Sequence, residues 1–206
     1  MRLGILGPAN GDLLGLARAA QFLVDEAGAE KVVYVAGDGA LERVVIGWAR
    51  EIVGTNPSEE ALFIRAAARC ARGSPEEIDR FVEGERARLR LKVYVSLPDE
   101  RSRTIELLDG RVTLFVYDKA ALDEEDISAA SILVFGKSAE PLIRKVGARI
   151  FVAPGAIGAP GGGMATLDDA GGGVKIEVLD AAGRVTAQDS LAAKETASKM
   201  RVQGGS

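Results

Sequence analysis

Two stretches of the sequence decide the fold: residues 132–143, which read ILVFGKSAEPLI, and residues 150–160, which read IFVAPGAIGAP. Each begins with an apolar run that breaks at a turn residue, Gly136 in the first stretch and Pro154 in the second. Short apolar runs bounded by such residues are typical of strands that are buried on both faces. The sequence therefore predicts two buried strands, each followed directly by a loop of small residues.

The beginning of the chain predicts parallel strand pairing. Residues 2–7 and 31–36 are apolar runs that also stop at glycine, and residues 12–27 between them place leucine and alanine on one helical face. A strand, a helix and a second strand in this order predict a βαβ unit with parallel strands. A further helix with one apolar face is expected over residues 40–53.

Two more helices are expected near residues 58–71 and 75–89. The second has a strong start signal, because Ser74 can cap it, Pro75 occupies its first position and Glu77 completes a capping box. The first contains Cys70, the only cysteine of the chain. We expect this cysteine to be a small core residue, since no histidine is present to activate it.

The second half of the chain predicts short strands and hairpins. Strands are expected at 93–96, 104–107, 111–117, 131–135, 149–152, 164–167, 174–179 and 184–187, with a short helix at 123–130. The dipeptide Asp109-Gly110 is a strong signal for a hairpin turn between two of these strands. The sequence thus predicts two sheets with helices on the outer faces, in one domain over residues 1–190, followed by a flexible tail over 191–206.

Composition excludes several classes of function. The 206 residues contain no histidine, which excludes Ser-His-Asp and Cys-His catalysis and histidine-based zinc sites. The net charge of −4 and the lack of a long basic run give no support to nucleic-acid binding. No apolar run approaches the roughly 20 residues of a membrane span. We expect a cytoplasmic protein that is neither a nucleic-acid binder nor inserted in a membrane.

Four blocks of the sequence resemble the calcineurin-like metallophosphoesterases, in particular their small bacterial and archaeal phosphodiesterase branch. Residues 3–13 (LGILGPANGDL) resemble the family's strand that ends in Ser-Asp-x-His-Gly-Asn-Leu, and residues 33–38 (VYVAGD) resemble its second strand, which ends in Gly-Asp. Residues 132–143 align with a strand followed by Gly-His-Thr-His-x-Pro, and residues 150–160 with a strand followed by Asn-Pro-Gly-Ser-x-Gly-x-Pro. The resemblance covers about residues 2–188 and implies a four-layer αββα sandwich, with two mixed sheets between outer helices.

The resemblance also indicates which residues replace the family's metal ligands. Seven residues fall on or near those positions: Pro8, Asn10, Asp38, Asn56, Tyr117, Lys137 and Ala139. The Asp of the Gly-Asp motif is kept as Asp38, and Asn56 is the best counterpart of a later Asn. Proline and alanine have no side-chain donor, and a lysine at position 137 repels cations. These seven residues therefore form a vestigial site, for which we expect no metal, no cofactor and no catalytic residue.

The resulting prediction is a catalytically inactive protein of this fold that acts as a protein-interaction, scaffold or regulatory module, comparable to a retromer subunit of the same fold. Two alternatives stay open: a residual metal-dependent phosphodiesterase or phosphatase, and a phosphate or nucleotide sensor without catalysis. The partner is expected to be an unidentified protein, with homo-oligomer formation left open. Residues 55–90 depart most from the family and are the expected contact surface.

The position of Lys137 suggests a more specific hypothesis. Lys137 and Asp38 both follow strands that end at the same rim in this fold, so the ammonium group can replace the charge of a metal ion and pair with Asp38. The alternative is that both side chains are solvated at a loop rim.

Overall fold

The computed structural model describes residues 1–193. The strands are β1 (Arg2–Leu6), β2 (Lys31–Tyr34), β3 (Tyr94–Ser96), β4 (Arg103–Leu108), β5 (Arg111–Val116), β6 (Ile132–Phe135), β7 (Leu142–Val146), β8 (Arg149–Ala153), β9 (Met164–Asp168), β10 (Val174–Leu179) and β11 (Val185–Leu191). The α-helices are α1 (Leu13–Asp25), α2 (Ala40–Val53), α3 (Leu62–Cys70), α4 (Pro75–Arg90) and α5 (Glu124–Ala129).

The strands form two mixed sheets. The first sheet has six strands in the order β11-β10-β9-β1-β2-β3, and the second has five in the order β4-β5-β6-β8-β7. Strands β1, β2 and β3 run parallel, as do β5, β6 and β8, whereas the strands added at the other positions are antiparallel. The prediction of a parallel βαβ start followed by hairpins is confirmed.

The chain is a four-layer αββα sandwich, as the sequence predicts. The largest group of buried side chains comes from strands of both sheets and fills the space between them, with Ile5, Val33, Phe115 and Val134 fully buried. A second apolar group joins the outer face of the first sheet to α1 and α2. A third covers the outer face of the second sheet below α5. Burial of apolar area on both faces of each sheet provides the main driving force for this arrangement.

Local signals in the sequence set several of the element ends. Asp12 caps α1 by accepting a hydrogen bond of 2.8 Å from the Gly15 amide. The expected capping box of α4 is present, with Ser74 and Glu77 bonded to each other's main chain. Asp109 and Gly110 have φ angles of 50° and 65°, the left-handed pair that a two-residue hairpin turn requires.

Two sequence-based expectations differ from the structure. Cys70 is exposed, because α3 lies on the surface and leaves most of its side chains exposed. The strand β7 was not predicted, since its sequence LIRKV is mostly exposed and follows no strict alternation. It forms because Gly147, at a φ of 61°, turns the chain back so that β7 pairs antiparallel with the buried strand β8.

The described part of the chain ends two residues after strand β11. Strand β11 ends at Leu191, whose side chain is buried. The predicted flexible tail falls almost entirely on residues 194–206, which are outside the described residues. Across residues 1–193, the helices are all too short or too polar to cross a membrane.

Candidate functional site

The loops that follow β1, β2, β5, β6 and β8 meet at one rim of the sandwich. Glycine permits this close approach at two crossings. A Cβ atom on Gly7 would lie 1.7 Å from the carbonyl oxygen of Gly155, and one on Gly136 would lie 1.8 Å from that of Val35. Each crossing joins a loop of the first sheet to a loop of the second. The rim is therefore a close main-chain junction between the two sheets.

A shallow cleft of about 410 Å³ opens at this rim. Its lining consists of Pro8, Asn10, Tyr117, Gly136, Lys137, Ser138, Ala139 and Ala156. Five of the seven residues that the sequence assigned to the vestigial site are thus brought together. Among them, Asn10 adopts a left-handed conformation with a φ of 50°, which asparagine tolerates better than most residues.

Asp38 follows β2 and is not among the residues that line the cleft; it is held by two hydrogen bonds from its own segment. Its carboxylate accepts a bond of 2.9 Å from the Ala40 amide and one of 3.2 Å from the Tyr34 hydroxyl. The Tyr34 hydroxyl in turn accepts a bond of 3.0 Å from the Ala9 amide in the loop after β1. Burial raises the pKa of Tyr34, although the bond from Ala9 acts in the opposite direction. Tyr34 therefore stays neutral and couples Asp38 to the first loop of the rim.

Lys137 pairs with Asp118, at 2.6 Å between ammonium nitrogen and carboxylate oxygen, and not with Asp38. The predicted pairing with Asp38 is wrong for a topological reason. Asp118 and Lys137 follow β5 and β6, which are neighbours in one sheet, whereas Asp38 follows β2 in the other sheet. The hydrogen bond from Lys137 lowers the pKa of Asp118, and the bond to Asp118 raises the pKa of Lys137.

Asn56 is placed away from the rim. It lines a separate cavity of about 470 Å³ together with Val45, Arg88 and Tyr94. Its side-chain oxygen accepts a bond of 3.3 Å from the Ser58 amide, which is a local turn contact. The structure therefore does not bring Asn56 to the other candidate residues.

The donor set of the rim does not fit a pair of divalent cations. Two such ions held close together need several anionic or imidazole ligands to offset their dehydration. Within residues 1–193 no group of three or more His, Cys, Asp and Glu side chains could hold a metal ion. At the cleft itself, Pro8 and Ala139 offer no donor atom, Lys137 brings a positive charge and Asp118 is committed to it.

Two residues of the site were missed at the level of sequence. Asp118 follows the apolar strand β5 after a single residue and is adjacent to Tyr117, which the resemblance selected, so its place at the rim could have been inferred from that neighbour. Tyr34 lies inside a strand, where an aromatic residue is normally a core residue. Only the fold shows that its hydroxyl reaches both Ala9 and Asp38.

Comparison with known proteins gives matches in structure but none in sequence. No protein-family model and no curated protein sequence matches the chain significantly. A novel archaeal phosphodiesterase is 16% identical with a TM-score of 0.47, and the match covers 93% of this chain and 100% of that one. A predicted phosphoesterase from Streptococcus pneumoniae is 16% identical with a TM-score of 0.49, covering 92% of this chain and 98% of that one.

A further match is Vacuolar Protein Sorting 29 from Cryptosporidium parvum, which is 11% identical with a TM-score of 0.49 over 93% of this chain and 97% of that one. At such identities and TM-scores these likenesses carry no conclusion about activity or partners.

Proposed function

We propose that this chain is a catalytically inactive protein of the metallophosphoesterase fold that acts as a protein-interaction module. The observation that carries the proposal is the donor set of the rim. A metal-dependent hydrolase of this fold generates its nucleophile at a pair of cations. Here the positions around the cleft are filled by Pro8, Ala139 and the Lys137–Asp118 ion pair.

Helix α3 offers a surface for a protein partner. Phe63 and Ile64 are consecutive in this helix and are 86% and 74% exposed, which makes them the most exposed large apolar side chains of the described residues. Burying a side chain of this size at an interface contributes about 1.5–3 kcal/mol. Exposed apolar side chains that stand together on one surface indicate an interaction site more strongly than scattered ones do.

The same helix is fixed in place by a cationic side chain. Arg65 donates from Nε to Glu85 of α4 at 2.7 Å, and from Nη1 to the carbonyl oxygens of Asn56 and Ser58. Glu85 also accepts a bond of 2.6 Å from Arg88. We use the name helical lobe for α3, α4 and the loop before α3 that contains Asn56 and Ser58. These contacts tie α3 to α4 and to the loop before α3, which lowers the ordering cost of presenting Phe63 and Ile64 to a partner.

The two alternatives have less support. A residual phosphodiesterase needs metal ligands that the rim lacks. A phosphate sensor needs uncompensated positive charge, whereas the Lys137 ammonium is already bonded to Asp118. The non-catalytic interaction module therefore accounts best for both the rim and the helical lobe.

The first test is the metal content of the purified chain after incubation with excess Mn²⁺ and Zn²⁺ followed by gel filtration. We expect far less than one metal ion per chain and no metal-dependent hydrolysis of bis-p-nitrophenyl phosphate. A stoichiometry close to two ions per chain, with turnover of that ester, would overturn the proposal.

The second test addresses the interaction surface. The full chain and a variant with Phe63→Asp and Ile64→Asp are used as baits, and captured proteins are quantified by mass spectrometry. The matched control is Leu14→Asp, which changes a side chain that is 73% exposed on α1. We expect one or more proteins to be captured by the parent chain and the control but lost with the double variant. Equal capture by all three baits contradicts the assignment of the surface to α3.

A further inference from the structure

The strand at the open edge of the second sheet exposes large apolar side chains, which is unusual for an edge strand. Strand β4 lies at this edge and carries Ile105 and Leu107, which are 60% and 62% exposed. Both point to the outer face of the sheet, since their cross-strand neighbours Leu114 and Val112 belong to the apolar group on that face. An exposed apolar edge strand is a template for pairing with another strand.

The hairpin geometry shows which main-chain groups face outward. The two-residue turn closes on Leu108 and Arg111, which form a hydrogen-bonded pair in such a hairpin. Because hydrogen-bonded and non-bonded pairs alternate along an antiparallel ladder, residues 104, 106 and 108 bond to β5. The amide and carbonyl groups of Arg103, Ile105 and Leu107 then point away from the sheet. Within residues 1–193, no main-chain hydrogen bond outside the β4–β5 ladder involves these three residues.

The usual devices that protect an edge strand are weak here. Strand β4 has six residues, no proline and no lysine. Its inward-pointing charge, Glu106, is neutralised by Lys31 at 2.5 Å. By contrast, the edge strand β3 has only three residues, and β7 carries Arg144 and Lys145. The second sheet is therefore open to strand addition at β4.

We propose that β4 pairs antiparallel with β4 of a second copy of this chain, so that the two five-stranded sheets become one continuous sheet across a twofold axis. The twofold passes through Ile105, which lies opposite its own counterpart. The pairing forms roughly six main-chain hydrogen bonds from the outward groups of Arg103, Ile105 and Leu107. It also brings the exposed Ile105 side chains of the two copies together and places Leu107 opposite Arg103 of the other copy.

Charge complementarity selects the second copy and this register. Arg101 lies just before β4 and Asp109 lies just after it. With Ile105 on the axis, Arg101 of one copy comes near Asp109 of the other, and Glu106 of one copy lies opposite Thr104 of the other. A shift by two residues in one direction places Glu106 opposite Glu106, each of which is paired with its own Lys31, and a shift in the other places Asp109 opposite Asp99. Both shifts bring carboxylates together, which is unfavourable across a strand pair. Of these three registers, only the one with Ile105 on the axis has no pair of like charges.

The oligomeric state of the full chain tests the proposal by sedimentation equilibrium over a wide range of concentration. We expect a monomer–dimer equilibrium that Ile105→Lys weakens roughly tenfold or more, because two ammonium groups then oppose each other on the axis. The matched control is Val146→Lys on β7, a residue that is 52% exposed and distant from the axis, which should dimerise like the parent chain. A parent chain that stays monomeric at high micromolar concentration overturns the proposal, and so does a dimer that Ile105→Lys leaves intact.

Cysteine cross-linking tests the register. In a Cys70→Ser background, which removes the only native thiol, Ile105→Cys should form a covalent dimer on mild oxidation. The matched variant Leu107→Cys should not, because the two thiols would then be about 13 Å apart along the strands. Cross-linking that is equal for both variants, or stronger for Leu107→Cys, contradicts this pairing. The result is independent of the proposed function, because neither the rim nor α3 takes part in the interface.

Discussion

Replacement of Glu85 by glutamine should destabilise the chain far more than its place on an outer helix suggests. Glu85 accepts hydrogen bonds of 2.7 Å from Arg65 and 2.6 Å from Arg88, and its side chain is only 9% exposed. Both arginines also have one buried Nη2 atom without a hydrogen-bond partner in the described part of the chain. The triad already holds one excess positive charge, so removal of the carboxylate leaves two buried guanidinium groups without a counter-charge.

The magnitude follows from the cost of an unpaired buried charge. Breaking a buried ion pair by removing one partner costs about 3–5 kcal/mol. Arg65 keeps its bonds to the carbonyls of Asn56 and Ser58, which places this case near the lower end of that range. We therefore expect Glu85→Gln to reduce the free energy of unfolding by about 3 kcal/mol. For a chain of this length, the midpoint of thermal unfolding should fall by about 6–12 °C.

Urea unfolding followed by circular dichroism measures this loss, and Glu83→Gln is the matched control on the same helix. Glu83 pairs with Arg86 at 2.6 Å, but both side chains are about two-thirds exposed, at 66% and 64%. Exposed pairs contribute less than about 1 kcal/mol, so the control should remain close to the parent chain. If Glu85→Gln and Glu83→Gln are destabilised equally, the argument from burial is refuted.

Acid should remove the same contribution. Burial alone would raise the pKa of Glu85, but the hydrogen bonds from Arg65 and Arg88 outweigh it and hold the pKa below the ordinary value. A lowered carboxyl pKa means that the stabilisation is complete above the unfolded value of about 4.3 and is lost as the pH falls through the folded value. The difference in unfolding free energy between the parent chain and Glu85→Gln should therefore narrow below about pH 4. A difference that is the same at acidic and neutral pH would contradict the pKa shift.

Three further substitutions test the packing around the rim and the core. Gly7→Ala should lower the free energy of unfolding, measured in urea, by more than about 3 kcal/mol, because the added Cβ would lie 1.7 Å from a carbonyl oxygen. The control Gly47→Ala has open space around the added Cβ and should not lower it. Tyr34→Phe should lower the free energy of unfolding by about 1–3 kcal/mol in the same assay, because the buried amide of Ala9 loses its acceptor. An unchanged midpoint of urea unfolding would show that water replaces the hydroxyl. Thr113→Val should leave the free energy of unfolding unchanged or raise it by about 1 kcal/mol, because the Thr113 hydroxyl is buried without a hydrogen-bond partner among the described residues. A clear loss of stability would reveal an unseen partner for this hydroxyl.

The sandwich could be predicted because each of its central strands carries its own signal. Ile132–Phe135 is buried at every position, so its apolar run has a single structural explanation. The hairpin at Asp109 and Gly110 was equally predictable, since a turn with two positive φ angles restricts the residue types that can form it. Strand β7 could not be predicted in this way, because its stability comes from the neighbouring β8 and not from its own burial.

The candidate site was predictable in part. The family resemblance selected Pro8, Tyr117 and Lys137, and the structure places all three at one cleft. Such a resemblance says nothing about which charges meet there. The sequence suggested only Asp38 as a partner for Lys137, whereas the structure pairs Lys137 with Asp118, which follows the neighbouring strand of the same sheet. Pairwise contacts at a rim depend on the order of strands within each sheet, which a single sequence does not contain.

The position of Cys70 shows how the helical lobe differs from the rest of the chain. An apolar segment normally predicts burial, yet no residue of α3 is fully buried and Phe63 is almost fully exposed. Arg65 of this helix pairs with Glu85 of α4, so a charged contact ties α3 to α4. The exposed side chains of Phe63 and Ile64 are then accessible to another molecule, which is why we propose partner binding at the helical lobe and not at the rim.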